Sequence, residues 1–483
     1  MSVAFIGVLT ILAGLIGLNS SMSVLFVWFC ITCILGSASA MLIGAANILP
    51  GHLLLGFLVI PLLVNRRALA CFFRQFEMGK PGFWLLLLAL YGILSAFFVP
   101  RLLAGATDIL PLGTTIYADT GSTVPLAPVS SNVTQSLYMT ADLICFGITA
   151  ALATSETGRA AVIKGLLAYS LANLIFALLD LASFYTGHQD LLSIIRNATY
   201  TMHTQETIAG LKRIVGAFPE TSSFSRSTLG VLGFCGSLWL AGYRPALTGL
   251  LAGSAAVMLV LSTSSTGVAG LPVMLAVLMA TGLELIWQRR LRTYGFLTLL
   301  AVPVLIVVVG LVLALDARIW QTIYNYIDMV ILNKAQSDSG VERSSWNNYA
   351  LQNFFDSFGM GVGLGTVRTS SFALALLAGV GIPGTLFYLA FLYGAIGRPL
   401  LHVASTKRTA QRTDNPDQAT HRNVMHIACR NGCLGLLIGD LVLSPTIDQG
   451  LFFFILAGLG SASTFHARHI LYRQSHRPAG ALR

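Results

Sequence analysis

The sequence predicts an all-α polytopic integral membrane protein with about 12–13 transmembrane helices, and three observations carry that prediction. Of 483 residues, 55% are hydrophobic and only 10% are charged, where a soluble domain carries about 25% charge. Mean hydropathy over the chain is +0.76. Apolar runs long enough to cross a hydrocarbon core of about 30 Å recur along the whole length and leave no room for a separate soluble domain, so residues 1–483 read as one membrane domain.

Spans are expected at 3–18, 22–44, 49–64, 82–99, 136–154, 163–185, 223–242, 246–263, 266–287, 296–315, 372–396, 426–443 and 449–465. Of the 29 lysines and arginines, 19 fall in 65–80, 153–164, 243–246, 288–294, the loop 397–428 and the tail 466–483. That is every second connection, the positive-inside pattern, and it marks these segments as cytoplasmic. The net charge of +10 is thereby accounted for without nucleic acid, and the basic tail reads as a membrane-surface anchor. No basic residue precedes Arg66, so three crossings before it put the N-terminus outside and two put it inside; 12 and 13 spans both stand. Residues 2–18 lack a positive n-region, so no cleaved signal peptide is expected. The seven cysteines fall in spans or on the cytoplasmic side, and no periplasmic disulfide is expected; Cys30 and Cys33 read as two small apolar residues.

On the opposite face three excursions remain, 100–135, 186–222 and 316–371, and function is expected there, on loops held by a rigid scaffold. The first is rich in Pro, Gly, Ser and Thr and reads as irregular. The third opens with RIWQTIYNYIDMVILNK, an amphipathic helix suited to the bilayer surface, followed by a short helix SSWNNYALQNFFDS that stops at Gly359. Nine cations sit on this face against the topology rule: Arg101, Arg196, Lys212, Arg213, Arg226, Arg318, Lys334, Arg343 and Arg368. Two readings compete: an anionic ligand, or pairing with carboxylates such as Glu220, Glu342 and Asp356 or with lipid phosphates.

The segment SFGMGVGLGTVRTSS sets Gly359, Gly361, Gly363 and Gly365 at every second position ahead of Arg368. Small-residue spacing of this kind suits close helix packing. Alternation is not a helical face, however, and an extended or nest-like segment is expected, with bare amides approaching a phosphate that Arg368 also grips.

The stretch ERSSWNNYALQNFFDSFGMGVGLGTVRTSSFALALLAGVGIPGTLFYLAFL resembles the C-terminal signature of the O-antigen polymerase and O-antigen ligase superfamily, especially its exopolysaccharide polymerases. APVSSNVTQSLY (127–138), GAFPETSSFS (216–225) and LSTSSTGVAG (261–270) fit the same family. The resemblance implies a GT-C-type, metal-independent glycosyltransferase of the bacterial inner membrane with its active site facing the periplasm. Its substrates would be undecaprenyl-diphosphate-linked oligosaccharides, as donor and acceptor, with a chain-length regulator as a partner and no cofactor. Ligase relatives carry a histidine just after the glycine run; this chain has Ser370 and Ser371 and no histidine from 316 to 378.

Transfer from a diphosphate needs charge stabilisation on the leaving group and removal of a proton from the attacking hydroxyl. On that reading Arg343 and Arg368 are the first candidates for the diphosphate, with Arg213 and Arg226 next. Gly361, Gly363, Gly365, Ser370, Ser371 and Trp346 are candidate substrate-binding residues. Glu220 is the candidate base, with His203 and Glu342 in reserve, and the alternative for Glu220 is an ion pair with Arg213 or Arg226. Trp320, Tyr324 and Tyr326 suit either sugar stacking or the membrane interface. Intramembrane Asp142, Asp180 and Asp440 keep a flippase or transporter reading open, and a non-catalytic assembly partner is a third.

Overall fold

The computed structural model describes residues 2–43, 46–118, 121–208, 210–287, 293–315, 321, 324, 338–397, 416–442 and 444–475. The described chain is mostly helical. In order, the helices are α1 (Phe5–Leu18), α2 (Met22–Thr32), α3 (Pro50–Val64), α4 (Arg66–Phe73), α5 (Pro81–Leu102), α6 (Ser130–Leu152), α7 (Glu156–Tyr185), α8 (Thr221–Leu240), α9 (Pro245–Leu261), α10 (Ser265–Trp287), α11 (Thr293–Leu315), α12 (Asp338–Asp356), α13 (Phe372–Ala395), α14 (Pro416–Val442) and α15 (Gly450–Ser475).

Among the described residues five of these are long and apolar enough to cross a membrane, namely α5, α6, α7, α10 and α13; α3 and the helical segment after it, bent by 111° to each other, add a sixth if the two are counted as one span. Apolar composition sets the interiors, and local chemistry sets the ends. Proline opens α3, α5 and α9, where its missing N–H costs nothing. Ser155 caps α7 by accepting from the Gly158 amide at 3.0 Å.

α8 is buried around most of its circumference. It meets α14 at nearly backbone distance: a Cβ on Gly233 would strike the Asn431 carbonyl, and one on Gly435 the Leu229 carbonyl. Small residues allow that approach where apolar lipid supplies no hydrophobic drive between helices. Asn431 ties the seam by donating at 2.8 Å to Ser237 Oγ and to Thr281 Oγ1 of α10. Around it Phe234, Phe391, Phe453 and Phe146 fill the core.

The expected span 22–44 is corrected. α2 stops at Thr32, and the chain then turns into a hairpin, β2 (Met41–Ile43) with β3 (Ala46–Ile48), against which β1 (Ser2–Val3) pairs. Hydropathy is blind to the cause: residues 36–39 are engaged by another loop, with Ser37 Oγ donating to the Ile195 and Ala217 carbonyls at 2.9 Å and the Ser39 amide donating to Asn197 Oδ1. The β1–β2 pairing sets residues 2–3 at the end of the bundle where α3 begins, so α1, α2 and α3 run alternately along it before Arg66.

That end also collects the long connections 103–129, 186–220, 338–371 and 444–449; the opposite end carries Arg66, Arg67, Arg74, Lys80 and Arg159. Most of the expected amphipathic helix, 318–334, lies outside the described residues, as do most of 397–415 and the tail beyond 475. Tyr324 is described and exposed. The second part of the expected loop 397–428 is helical from Pro416, and α15 continues to Ser475.

Candidate substrate site

The glycine run is not helical: Gly359, Gly361, Gly363 and Gly365 all have positive φ, between 75° and 104°. Its position is set by a break in α13. Pro383 has no amide to bond the Gly379 carbonyl, and Gly381 takes φ 61°, ψ −164°, so the helix opens there. The strand-like run fills the gap. Val362 donates to the Ala378 carbonyl at 2.7 Å, Gly363 to the Gly379 carbonyl at 3.0 Å, and Ile382 donates back to Gly359 at 2.8 Å. A Cβ on Gly361 would lie 2.7 Å from the Gly381 nitrogen, and one on Gly365 would lie 2.6 Å from the Ser131 carbonyl. The Gly361 amide donates to Ser357 Oγ and the Leu364 amide to Ser95 Oγ. The amides of residues 361–364 are therefore spent inside the protein, which corrects the expectation that they cradle a phosphate. The run is a backbone splice that fixes the position of the next segment, residues 366–371.

Arg368 stands in that segment, which the 103–129 connection locks from the other side: the Arg368 amide donates to the Leu110 carbonyl at 2.9 Å, and Leu112 donates to the Thr366 carbonyl at 3.1 Å. Buried Asn132, on the first turn of α6, donates to the Leu364 carbonyl at 2.7 Å and Thr366 Oγ1 at 2.9 Å. Asn347 of α12 holds Ser370 twice, donating to its Oγ and accepting from its amide, both at 3.0 Å. With backbone clamped on both flanks, the Arg368 side chain is exposed and its guanidinium lies over the Trp346 ring, 5.1 Å from the centroid. Arg343 stands one turn before Trp346 on the same face of α12. Ser371 is the residue before α13.

The other cations are placed differently. Arg196 donates to Asp180 Oδ1 at 2.6 Å, Lys212 lies 3.7 Å from Asp180 Oδ2, and the amides of Val215 and Gly216 donate to the same oxygen. This knot fastens the 186–220 connection to α7. Burial pulls the Lys212 ammonium below the ordinary lysine value, against the opposing pull of Asp180. Arg213 pairs with Glu206, which also lies 2.8 Å from His203 Nδ1. Arg226 makes a two-pronged pair with Asp440 and donates to the Gln449 carbonyl at 2.8 Å, while Tyr388 donates to Gln449 Oε1 at 2.7 Å.

Of the seven loop-end cations among the described residues, four are thus neutralised by carboxylates. Arg101 caps its own helix by donating to the Phe97 carbonyl. Only Arg343 and Arg368 are left with neither arrangement; Arg318 and Lys334 lie outside the described residues. The chain matches no protein-family model and no curated protein.

Glu220 immediately precedes α8 in extended conformation, half-buried. Its Oε1 accepts from Ser223 Oγ at a long 3.4 Å, and among the described residues it forms no ion pair, so the expected alternative of a bond to Arg213 or Arg226 is not what the fold adopts. Two stretches singled out in the sequence meet beside it: Ser225 and Ser262 hydroxyls lie 3.1 Å apart at the α8 and α9 ends. Among the described residues Asp356 and Glu342 pair with no arginine either; Asp356 accepts from Thr107 at 2.6 Å.

Of the intramembrane aspartates, Asp180 and Asp440 are ion-paired. Asp142 is fully buried, its carboxyl beside that of Asp448. Sequence reasoning missed the residues that organise the site, Asn132, Asn347, Gln449 and Tyr388. Their one signal is polar side chains inside or bordering apolar spans, which marks them as partnered without naming the partner.

Proposed function

We propose that the chain is a multi-pass membrane glycosyltransferase of 12–13 crossings that transfers an oligosaccharide from undecaprenyl diphosphate to the terminal hydroxyl of another lipid-linked unit, at the periplasmic face of a bacterial inner membrane. One observation carries the reading: among the described residues neither Arg368, whose guanidinium lies over Trp346, nor Arg343, one turn before that tryptophan, has a carboxylate partner, while four other loop-end cations are neutralised. A guanidinium held without a counter-charge at the loop end is suited to an anionic headgroup, and its planar fork matches phosphate oxygens in a way an ammonium does not.

In this mechanism the bond between the anomeric carbon and the diphosphate oxygen breaks, and the electron pair leaves with the diphosphate. Arg343 and Arg368 stabilise that charge. The acceptor oxygen bonds to the anomeric carbon, and its proton passes to the Glu220 carboxylate, which forms no ion pair among the described residues. Trp346 keeps the Arg368 guanidinium flat and presented. Ser370 and Ser371, standing where ligase relatives have histidine, favour polymerisation over transfer to another acceptor. The pairing of Asp180 and Asp440 removes two of the three carboxylates on which a flippase reading rests.

The test is reconstitution of the purified protein in liposomes with short undecaprenyl-diphosphate oligosaccharides. A ladder of longer lipid-linked products is expected. Movement of the oligosaccharide between leaflets with no change in length would overturn the proposal.

A further inference from the structure

Asp142 has no place in the mechanism above, and several elements enclose it. α6 and α15 both start at the loop end and run side by side from it: Cys145, one turn beyond Asp142 on α6, donates its thiol to the Leu451 carbonyl at 3.7 Å, and Asp448 precedes Leu451 by three residues. The carboxyls of Asp142 and Asp448 meet in consequence. Asp142 is fully buried; Asp448 is half-buried, and its Oδ1 accepts from the Gly450 amide at 2.6 Å. His52 of α3 faces Asp448 from another side, its ring 4.9 Å from that of Tyr138, one turn before Asp142. Both nitrogens of that imidazole are buried and form no hydrogen bond among the described residues.

The charges there do not balance. Asp448 faces His52, Tyr138, Asp142, Arg226 of α8 and Asp440 of α14, and Asp142 faces Cys145 and Arg226 as well. Arg226, however, is already engaged by both oxygens of Asp440. The Tyr138 hydroxyl donates to the Asn47 carbonyl at 2.7 Å, so its proton is spent elsewhere, as is that of Cys145. Ionising both Asp142 and Asp448 would set two like charges in contact away from water, a cost that adjacent carboxyls avoid by keeping one proton between them. We propose that Asp142 and Asp448 form a proton-binding site: one shared proton clasps the 444–449 connection to α6, and its release to water at half-buried Asp448 loosens that connection. The effect reaches Arg368. Ser444, in the same connection, donates its amide to the Ser370 carbonyl at 3.3 Å, and its carbonyl accepts from Thr369 Oγ1 at 3.2 Å. The segment that carries Arg368 is thus held by the connection that the proton holds. Nothing in this site depends on the glycosyltransferase reading above.

The experiment uses the full chain in nanodiscs. Infrared spectra at neutral pH are expected to show a protonated-carboxyl C=O band that shifts in D2O and is lost in Asp142→Asn, a near-isosteric change whose carboxamide can donate to Asp448 as the shared proton does. In Asp448→Asn the band should move, because the partner carboxylate is gone. Absence of the band from wild type overturns the site, and that outcome needs no variant to fold. A band that survives in Asp142→Asn, or stands unmoved in Asp448→Asn, overturns it too, since the proton would then belong to another acid or to Asp142 unaided. The clasp is read separately, from the emission of Trp346 beneath the Arg368 guanidinium, isolated by subtracting the spectrum of Trp346→Phe. As pH is raised and the band titrates away, that emission should change in wild type and stay constant in Asp142→Asn. A band that does not titrate, one that titrates without a change in emission, or an emission change that persists in Asp142→Asn overturns the clasp. Neither readout involves turnover, so a missing product ladder sinks the glycosyltransferase and leaves the proton site standing.

Discussion

The guanidinium of Arg368 rests 5.1 Å from the centre of the Trp346 ring, with its backbone amide bonded to Leu110 on one side and nearby Ser370 gripped by Asn347 on the other. The side chain is exposed, yet the segment that carries it is among the most tightly held parts of the loop end.

Arg368→Lys and Arg343→Lys should therefore insert and fold as wild type while turnover falls by about 100-fold or more, the scale seen when one transition-state donor is removed. Product formation from lipid-linked oligosaccharide measures it. Wild-type product length and rate from either variant would remove these arginines from the mechanism.

Arg226 and Asp440 should behave in the opposite way. Their pair lies between α8 and α14, Asp440 buried and Arg226 half-buried, and is supplemented by the Gln449 carbonyl. Removing one partner leaves an uncompensated charge, so Arg226→Met or Asp440→Leu alone should cost about 3–5 kcal/mol. Combining them should recover most of that loss in a detergent unfolding titration. A double variant no more stable than the singles would show that the pair is not the source of the effect.

The glycine run separates packing from ligand binding. Gly361→Ala combines positive φ with a contact 2.7 Å from the Gly381 nitrogen, and a sharp drop in folded yield is expected. Gly253, within α9 and with open space for 4 Å around the point a methyl group would occupy, is the control: its alanine variant should gain about 0.5–1 kcal/mol. A Gly361→Ala protein that folds normally but binds substrate weakly would contradict the splice described above.

Lys212 predicts a pH effect. Its folded-state value lies below the ordinary 10.5, so the unfolded chain holds the proton more tightly, and stability rises with pH across the interval from the lowered value up to about 10.5. Lys212→Met should flatten that rise in thermal unfolding followed from neutral to alkaline pH. An unchanged slope would mean that another group titrates there.

Hydropathy made most helices legible, because a span must be apolar over its length whatever it touches. It failed at residues 33–48, where small and apolar residues satisfy the same composition but Ser37 and Ser39 bond to a connection about 158 residues away. The glycine run was readable as non-helical from its alternation alone. Its purpose was not, since that depends on carbonyls freed by Pro383 in the following helix. The arginine excess was visible, but the division between paired and unpaired guanidiniums was not: Arg226 and Asp440 are 214 positions apart and nothing local links them.

Asn132 carries a consequence for biosynthesis. Its acceptors, the Leu364 carbonyl and the Thr366 hydroxyl, lie 232 and 234 residues downstream, so at translation rates of about 5–20 residues per second the carboxamide waits roughly 10–50 s for them. Through that interval the first turn of α6 must keep access to water, and the early helices cannot close fully over it. The loop end is thus sealed last, by a strand made late in synthesis, and a nascent chain truncated before residue 364 should display this asparagine to solvent.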